Sequence, residues 1–410
     1  MGSARPVSIV IVSRNRPDAL RLCLTGVAQL DHPAYEVIVV ACPAGLAAVA
    51  AHPQGQHVKT VAFDRPNISE ARNLGVALAA GEVVAFIDDD SVPEPLWLRH
   101  LTAPFDDPEV AASGGYVIGR NGISYQWTAR SVDARAETAP IPMPDDTPLV
   151  LHPAPGRAVK TEGTNMALRR EVLAQMGGFD PAFRFYLEET DLNMRLARAG
   201  QATAIVPLAQ VHHGFAASAR RGADRVPRDL TQIGASLALY LRKHCPEDLH
   251  DSVWTRFRAA QRDRLLRIMQ SGPLGPDDVG RLMKGLDAGW REGRARDLPA
   301  LPALPRAAAG FAPFPGRPDA PRRSLSGRPW QRRALHAAAA EAVRKGQIAT
   351  LVRLSPTALY HRVRMHPDGY WEHIGGIWGR AQRDNALIRM TTFRRRVAEE
   401  IARVTPVRGE

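Results

Sequence analysis

Three consecutive carboxylates, Asp88-Asp89-Asp90, follow directly on the apolar run Val83-Val84-Ala85-Phe86-Ile87. Hard divalent cations take oxygen ligands, and an ion held at the carboxyl end of a buried strand can neutralise a diphosphate. Taken alone, the same acids read equally as a turn that caps the next helix. A second acidic cluster, Glu188-Glu189-Thr190-Asp191, stands about 100 residues further on, behind Phe185-Tyr186-Leu187. Acids in a first helical turn complement the helix dipole, but an aromatic-flanked carboxylate pair also suits a general base. Burial and like charge raise a carboxylate's pKa toward working pH. His212-His213 close the next apolar run, where one neutral imidazole can complete a metal shell and the other serves packing or hydrogen bonding.

These groups need a scaffold that brings distant segments together. Val7 to Val12 and Glu36 to Val40 are short β-branched runs, and the leucines between Pro17 and Gln29 repeat as in an amphipathic helix. A further helix is predicted over Ser69 to Ala80, stopped by Gly81, and a strand over Val83 to Ile87. Continuous apolar strands alternating with helices predict an α/β fold, a mostly parallel Rossmann-like sheet covered on both faces, with its ligand site beyond the strands' carboxyl ends. Later elements are short helices at Glu171 to Met176 and Thr190 to Arg198, and a last strand at Pro207 to Val211. Beyond residue 228 long Arg-rich helices take over, so the region that follows the sheet is read as mainly α-helical. The expected division is 1–228 for the α/β domain, 229–298 for a helical extension, 299–330 for a Pro/Arg-rich linker or extended wrap and 331–410 for an accessory basic helical domain.

With 410 residues the chain can bury several cores, and its formal charge of +12 is unevenly placed. Residues 1–250 carry 24 basic and 27 acidic side chains, whereas residues 251–410 carry 30 and 15. The basic character belongs to the C-terminal part. Three scattered cysteines, Cys23, Cys42 and Cys245, support neither a disulfide framework nor a Cys-based zinc site and fit a reducing compartment. Without a signal-peptide pattern or a run approaching about 18 apolar residues, the expectation is a soluble cytoplasmic protein. Peripheral contact with the inner face of the membrane through the basic half is left open.

The ordered motifs resemble the family 2 glycosyltransferases, which have the GT-A fold. Ser13-Arg14-Asn15-Arg16-Pro17, Ser69-Glu70-Ala71-Arg72-Asn73-Leu74-Gly75 and Gly81 to Asp90 look like the family's donor half. Gly163-Thr164-Asn165-Met166, Gly177-Gly178-Phe179-Asp180, Glu188 to Leu192 and His212-His213-Gly214 look like its acceptor half, and together they span residues 6–225. The resemblance implies an inverting, metal-dependent transfer from a nucleoside-diphosphate sugar to the hydroxyl of a glycan or a lipid-linked saccharide, with Mn2+ or Mg2+ as cofactor. It makes Asp88 and Asp90 the outer carboxylates of the DXD motif, and His213, or alternatively His212, the third metal ligand. Ser13, Arg14, Arg72, Asp88 and Asp89 fall at the nucleotide and diphosphate, while Asn73 reads as a structural hydrogen-bonder. Glu189 is the first candidate for catalytic base and Asp191 the second. One departure is that many members place an Asp-rich turn after the second strand, whereas here Val40 leads into Ala41-Cys42-Pro43-Ala44-Gly45.

The competing reading is a degenerate binding or scaffold protein whose basic half holds an anionic polymer or a membrane surface. A nucleotidyltransferase is weaker, since no Gly-rich phosphate loop with a following Lys lies near the first strand. Nucleic acid is not an expected partner, because no recognised module for it is present. In the C-terminal part Tyr370, Trp371 and Trp378 are read as packing residues, and Arg394-Arg395-Arg396 as a group able to meet anionic lipid.

Overall fold

Apolar runs without polar alternation become the buried strands of one large sheet. In the computed structural model, which describes residues 5–382 and 385–409, β1 (Val7–Ser13), β2 (Tyr35–Ala41), β3 (Val58–Ala62) and β4 (Val83–Asp88) lie parallel in the order β3-β2-β1-β4. Helices α1 (Pro17–Val27), α2 (Pro43–Ala50) and α3 (Ile68–Leu78) make the crossovers. Alternate residues of β1 feed opposite layers: Ile9 and Ile11 pack with Leu20 and Leu24 of α1, and Val10 with Val76 of α3. Asn67 caps α3 by accepting from the Glu70 amide at 3.2 Å, which fixes the helix start and the direction of Arg72.

The same sheet continues through β5 (Ser91–Pro93), then, past helix α4 (Trp97–Thr102), through β6 (Val110–Ile118) and β7 (Tyr125–Trp127). Strands β8 (Arg130–Asp133), β9 (Thr138–Pro140) and β11 (Arg157–Lys160) form a small separate sheet, while β10 (Leu149–Leu151) edges the large one. After β12 (Met166–Arg169) and helices α5 (Arg170–Gln175) and α6 (Glu188–Arg198), the chain returns as β13 (Ala202–His213). β12 runs antiparallel between β4 and β6, and β13 lies parallel to β6, giving the mixed, mostly parallel sheet flanked by helices expected of the GT-A fold. β13 is longer than the run from Pro207 to Val211, and its register shift between Val206 and Gln210 accommodates Pro207 inside a strand.

The helices expected after residue 228 are α7 (Thr231–His244), α8 (His250–Gln270) and α9 (Pro276–Ala295). α7 and α9 approach so closely that a Cβ on Gly289 would stand 1.8 Å from the Thr231 carbonyl oxygen. Residues 299–321 are not a free linker. They strap the first domain, with the Leu304 amide on Ala174 O at 2.9 Å and the Phe314 amide on Tyr35 O at 2.8 Å.

The last region adds a sheet to the helical domain expected over 331–410. Helices α10 (Arg332–Arg344) and α11 (Phe393–Arg408) flank a four-stranded sheet of β14 (Arg322–Gly327), β15 (Ile348–Ser355), β16 (Arg362–Met365) and β17 (Trp371–Gly376), ordered β14-β15-β17-β16. Burial alternates along β16, with Val363 and Met365 inside and Arg362 and Arg364 outside, a period-2 pattern that a reading for charge and aromatics passes over. Tyr370 and Trp371 are fully buried, as their packing role predicts.

The two domains are joined by a buried cluster. Arg408 of α11 bonds Glu94 through Nε at 2.7 Å and Nη2 at 2.9 Å, and its guanidinium lies 4.2 Å from the Trp371 ring centroid. Glu94 also meets His212 Nε2 at 2.7 Å. Burial raises the Glu94 carboxyl's pKa, but the Arg408 cation and its hydrogen bonds outweigh that and bring it down to about 2.

Candidate active site

The carboxyl ends of β1, β4 and β13 converge, so that residues far apart in sequence share one edge. Asp88, Asp90 and His213 each place a ligand atom within 4.8 Å of the others. His213 Nδ1 pairs with Gln126 Oε1 at 3.0 Å, and Nε2 stands 3.2 Å from Asp90 Oδ1. A bond from Nδ1–H to Gln126 would set the tautomer whose Nε2 can offer its lone pair to an ion in place of its contact with Asp90. Two carboxylates and one such imidazole form a donor set that suits Mg2+ or Mn2+. The rings of Trp127 and Phe215 wall His213, at centroid distances of 5.9 and 4.4 Å.

Asp90 is almost wholly buried, and burial alone would favour its protonated form. His213, Arg16 and the Ala216 amide, which donates to Oδ2 at 2.8 Å, outweigh this and hold the carboxyl well below its usual range. Asp89 turns the other way, as strand-like alternation demands. It accepts from Ser13 Oγ at 2.7 Å, meets Arg16 Nη2 at 2.9 Å and is fully buried. Burial raises its pKa to about 7 against the pull of Arg16. The expectation that Asp89 contacts a nucleotide is corrected: it braces Ser13 and Arg16 from beneath.

Arg72 is buried rather than a solvated helix residue. It bonds Glu188 at 2.9 Å, Asp88 at 3.2 Å and the Gly163 carbonyl at 3.2 Å, and so links both acidic clusters. A Cβ on Gly163 would come within 2.5 Å of Arg72 Nη2, which explains glycine in that motif. Asn73 serves the backbone of Phe179 through bonds of 2.7 and 2.8 Å.

The start of α6 is held in an uncommon conformation. Tyr186 and Leu187 have φ of 74° and 67°, two successive left-handed non-glycine residues that cost about 1–3 kcal/mol each. They aim Glu188 and Glu189 from the first turn. Burial and the Glu189 charge raise the Glu188 carboxyl, and its Oε2 has no partner. Burial also acts on Glu189, but Lys160, 2.8 Å away, outweighs it and holds that carboxyl below its usual value. Asp191 faces the opposite side, as its place two residues further along the helix requires. It is fully buried among Arg195 at 2.8 Å, Lys243 at 2.7 Å and His244 at 2.9 Å. Three partners leave it no room for substrate, so its assignment as second candidate base is corrected. His212 as an alternative metal ligand is corrected for the reason that separates neighbours on any strand: it points to Glu94 and Trp371, at a ring distance of 4.9 Å from the latter.

Beside the Asp88–Asp90–His213 group opens a cavity faced by six arginines, Arg14, Arg16, Arg65, Arg184, Arg220 and Arg221, together with Phe63 and Phe185. Ser13 also lines it, and Arg14 reaches Asp64 at 2.8 Å. Val40 and Phe63 border the cavity where an acidic turn after β2 was sought, because α2 begins immediately at Pro43. Lys160, Arg220 and Arg221 carry no local motif. Only the clustering of Arg220, Arg221, Arg225 and Arg228 just after the histidines signals that segment in sequence. Such guanidinium density fits a diphosphate-sized anion.

The fold and this edge define an α/β domain in which two carboxylates and an imidazole adjoin an arginine-lined cavity. Residues 8–177 match the model of glycosyl transferase family 2. It is 29% identical over 246 residues to the O-antigen biosynthesis protein RfbC of Myxococcus xanthus, covering 54% of this chain and 18% of that protein. It is also 29% identical over 252 residues to a pre-mycofactocin glycosyltransferase of Mycobacterium tuberculosis, covering 58% of this chain and 48% of the relative. The matched part thus spans less than half the length of either relative. Among solved structures, a mannosyltransferase of Pyrobaculum calidifontis in complex with GDP-Man and Mn2+ aligns with a TM-score of 0.44 at 16% identity, covering 71% of this chain and 88% of that one.

Proposed function

We propose that this chain moves a sugar from a nucleoside-diphosphate sugar to an acceptor hydroxyl with inversion at the anomeric carbon. The observation that carries the reading is the meeting of Asp88, Asp90 and His213 beside an arginine-lined cavity, in a chain that matches the family 2 glycosyltransferase model. Asp88, Asp90 and His213 would hold Mn2+ or Mg2+, and the ion supplies Lewis-acid stabilisation of the diphosphate leaving group. Arg16, Arg220 and Arg221 add fixed positive charge to the same oxygens, which costs no reorganisation when negative charge develops. Arg72 keeps Asp88 and Glu188 in register. Glu189, kept ionised by Lys160, takes the proton of the attacking hydroxyl, while Glu188 is committed to Arg72. The acceptor is a glycan or a lipid-linked saccharide.

Turnover across a panel of nucleotide sugars, with Mn2+, Mg2+ or a chelator, tests the reading. Nucleotide release that depends on both a divalent ion and an acceptor is expected, with loss of turnover but retained donor binding in Glu189→Gln. No release with any donor sinks the transferase reading. Full activity in Glu189→Gln with loss in Glu188→Gln moves the base to Glu188.

A further inference from the structure

Ten large hydrophobic side chains are exposed among the described residues, and they are not scattered. Trp330, Leu359, Tyr360, Leu387, Ile388 and Met390 are 58–80% exposed, whereas the other four do not exceed 45%. All six follow one edge of the C-terminal sheet. Because β14, β15 and β17 run parallel, their ends at Gly327, Ser355 and Gly376 lie side by side, and the loops that leave them emerge together. Backbone bonds tie those loops: Gly376 N to Leu359 O at 2.9 Å, Trp378 N to Thr357 O at 3.2 Å and Arg389 N to Trp378 O at 3.0 Å. Arg328, 4.2 Å above the Phe393 ring, joins the turn carrying Trp330 to the start of α11.

On the same loops and the helix starts that adjoin them lie Arg332, Arg333, Arg380, Arg389, Arg394 and Arg395, and Glu399 partners two of them. Leucine, isoleucine and methionine set on water-facing loops and ringed by guanidinium groups form an amphipathic patch of the kind that marks an interaction surface. The six side chains come from separate loops and line none of the cavities described for this molecule. Tips projecting from separate loops suit a fluid interface better than a shaped protein groove. No described helix is long and apolar enough to cross a membrane, so contact of this kind rests on the surface itself.

We propose that this edge lies on an anionic lipid bilayer, with Leu359, Tyr360, Leu387, Ile388 and Met390 at the headgroup–acyl boundary and the arginines among the lipid phosphates. The proposal stands apart from the sugar-transfer reading. It has one spatial bearing on it: two residues past Tyr360, Arg362 lines a cavity shared with Trp127 and Phe215, the walls of His213.

Co-sedimentation of the full chain with vesicles tests it, without any activity measurement. Vesicles of phosphatidylcholine containing phosphatidylglycerol are expected to bind at least about tenfold more tightly than phosphatidylcholine alone. Ile388→Asp with Met390→Asp is expected to cut that binding by about tenfold or more at unchanged thermal stability, since both positions are solvent-facing. Arg394→Ser with Arg395→Ser is expected to lose about tenfold and to weaken the salt dependence. Absence of binding to the anionic vesicles overturns the proposal. So does binding that the aspartate pair leaves unchanged and that heparin matches, because the edge would then be a general polyanion or acidic-protein surface.

Discussion

Replacing Arg408 with Met removes the cation from a fully buried pair and leaves Glu94 with His212 as its remaining polar partner. Two routes give the size of the effect. Glu94 falls from the ordinary 4.5 to about 2 in the folded chain, and at 1.36 kcal/mol per pKa unit this is about 3 kcal/mol of stability. Breaking one side of a buried ion pair independently costs about 3–5 kcal/mol. Because the folded pKa is depressed, the contribution is complete above about 4.5 and disappears as pH falls through about 2. Urea unfolding of Arg408→Met at pH 7 should therefore show a deficit of about 3 kcal/mol, shrinking by roughly 1 kcal/mol at pH 4. Glu94→Gln combined with Arg408→Met should recover most of the loss, giving a coupling energy of about 3 kcal/mol in a double-mutant cycle. A coupling below about 1 kcal/mol, or a deficit identical at both pH values, refutes the reasoning and reduces Arg408 to a packing residue.

Other expectations follow from the site. Asp90→Asn should weaken Mn2+ binding by at least about tenfold, read by calorimetry on the free protein, while Asp89→Asn should mainly lower the melting temperature; equal metal affinities in the two variants contradict the assignment of Asp90, rather than Asp89, to the ligand group. Lys160→Met removes the charge that depresses Glu189, so the acid limb of the kcat/KM profile should move to higher pH, and an unmoved limb places the base elsewhere. Arg221→Ala, which vacates a cationic position beside Asp90, should raise KM for the donor by about tenfold and leave the acceptor KM unchanged; the reverse pattern assigns that loop to the acceptor.

Sequence pattern made much of the first domain legible because its signals are local. Ile9 to Val12, Val37 to Val40 and Val83 to Ile87 are unbroken apolar runs, and the carboxylates and histidines sit at strand and helix ends that punctuation residues mark. What stayed hidden depends on which way a side chain turns. Asp89 beside Asp90, and His212 beside His213, are neighbours of the same chemical type that strand geometry sends to opposite sides. Asp191 was illegible for a tertiary reason, since its partners Lys243 and His244 arrive from α7. The C-terminal sheet escaped notice because β16 has four residues and β14 carries adjacent arginines, so burial comes from pairing rather than from composition.

The pairing of Glu94 with Arg408 also bears on the order in which the molecule is made. The two residues are 314 positions apart, and at 5–20 residues per second the ribosome needs roughly 15–60 s to add that length. During that interval the first domain carries an unneutralised acid behind its candidate metal group, with His212 lacking Trp371 to stack on. A nascent chain therefore holds the Glu94 cluster open behind Asp88, Asp90 and His213, and any shortened product without α11 keeps it open. Completion of the cluster behind the site thus waits on the docking of α11.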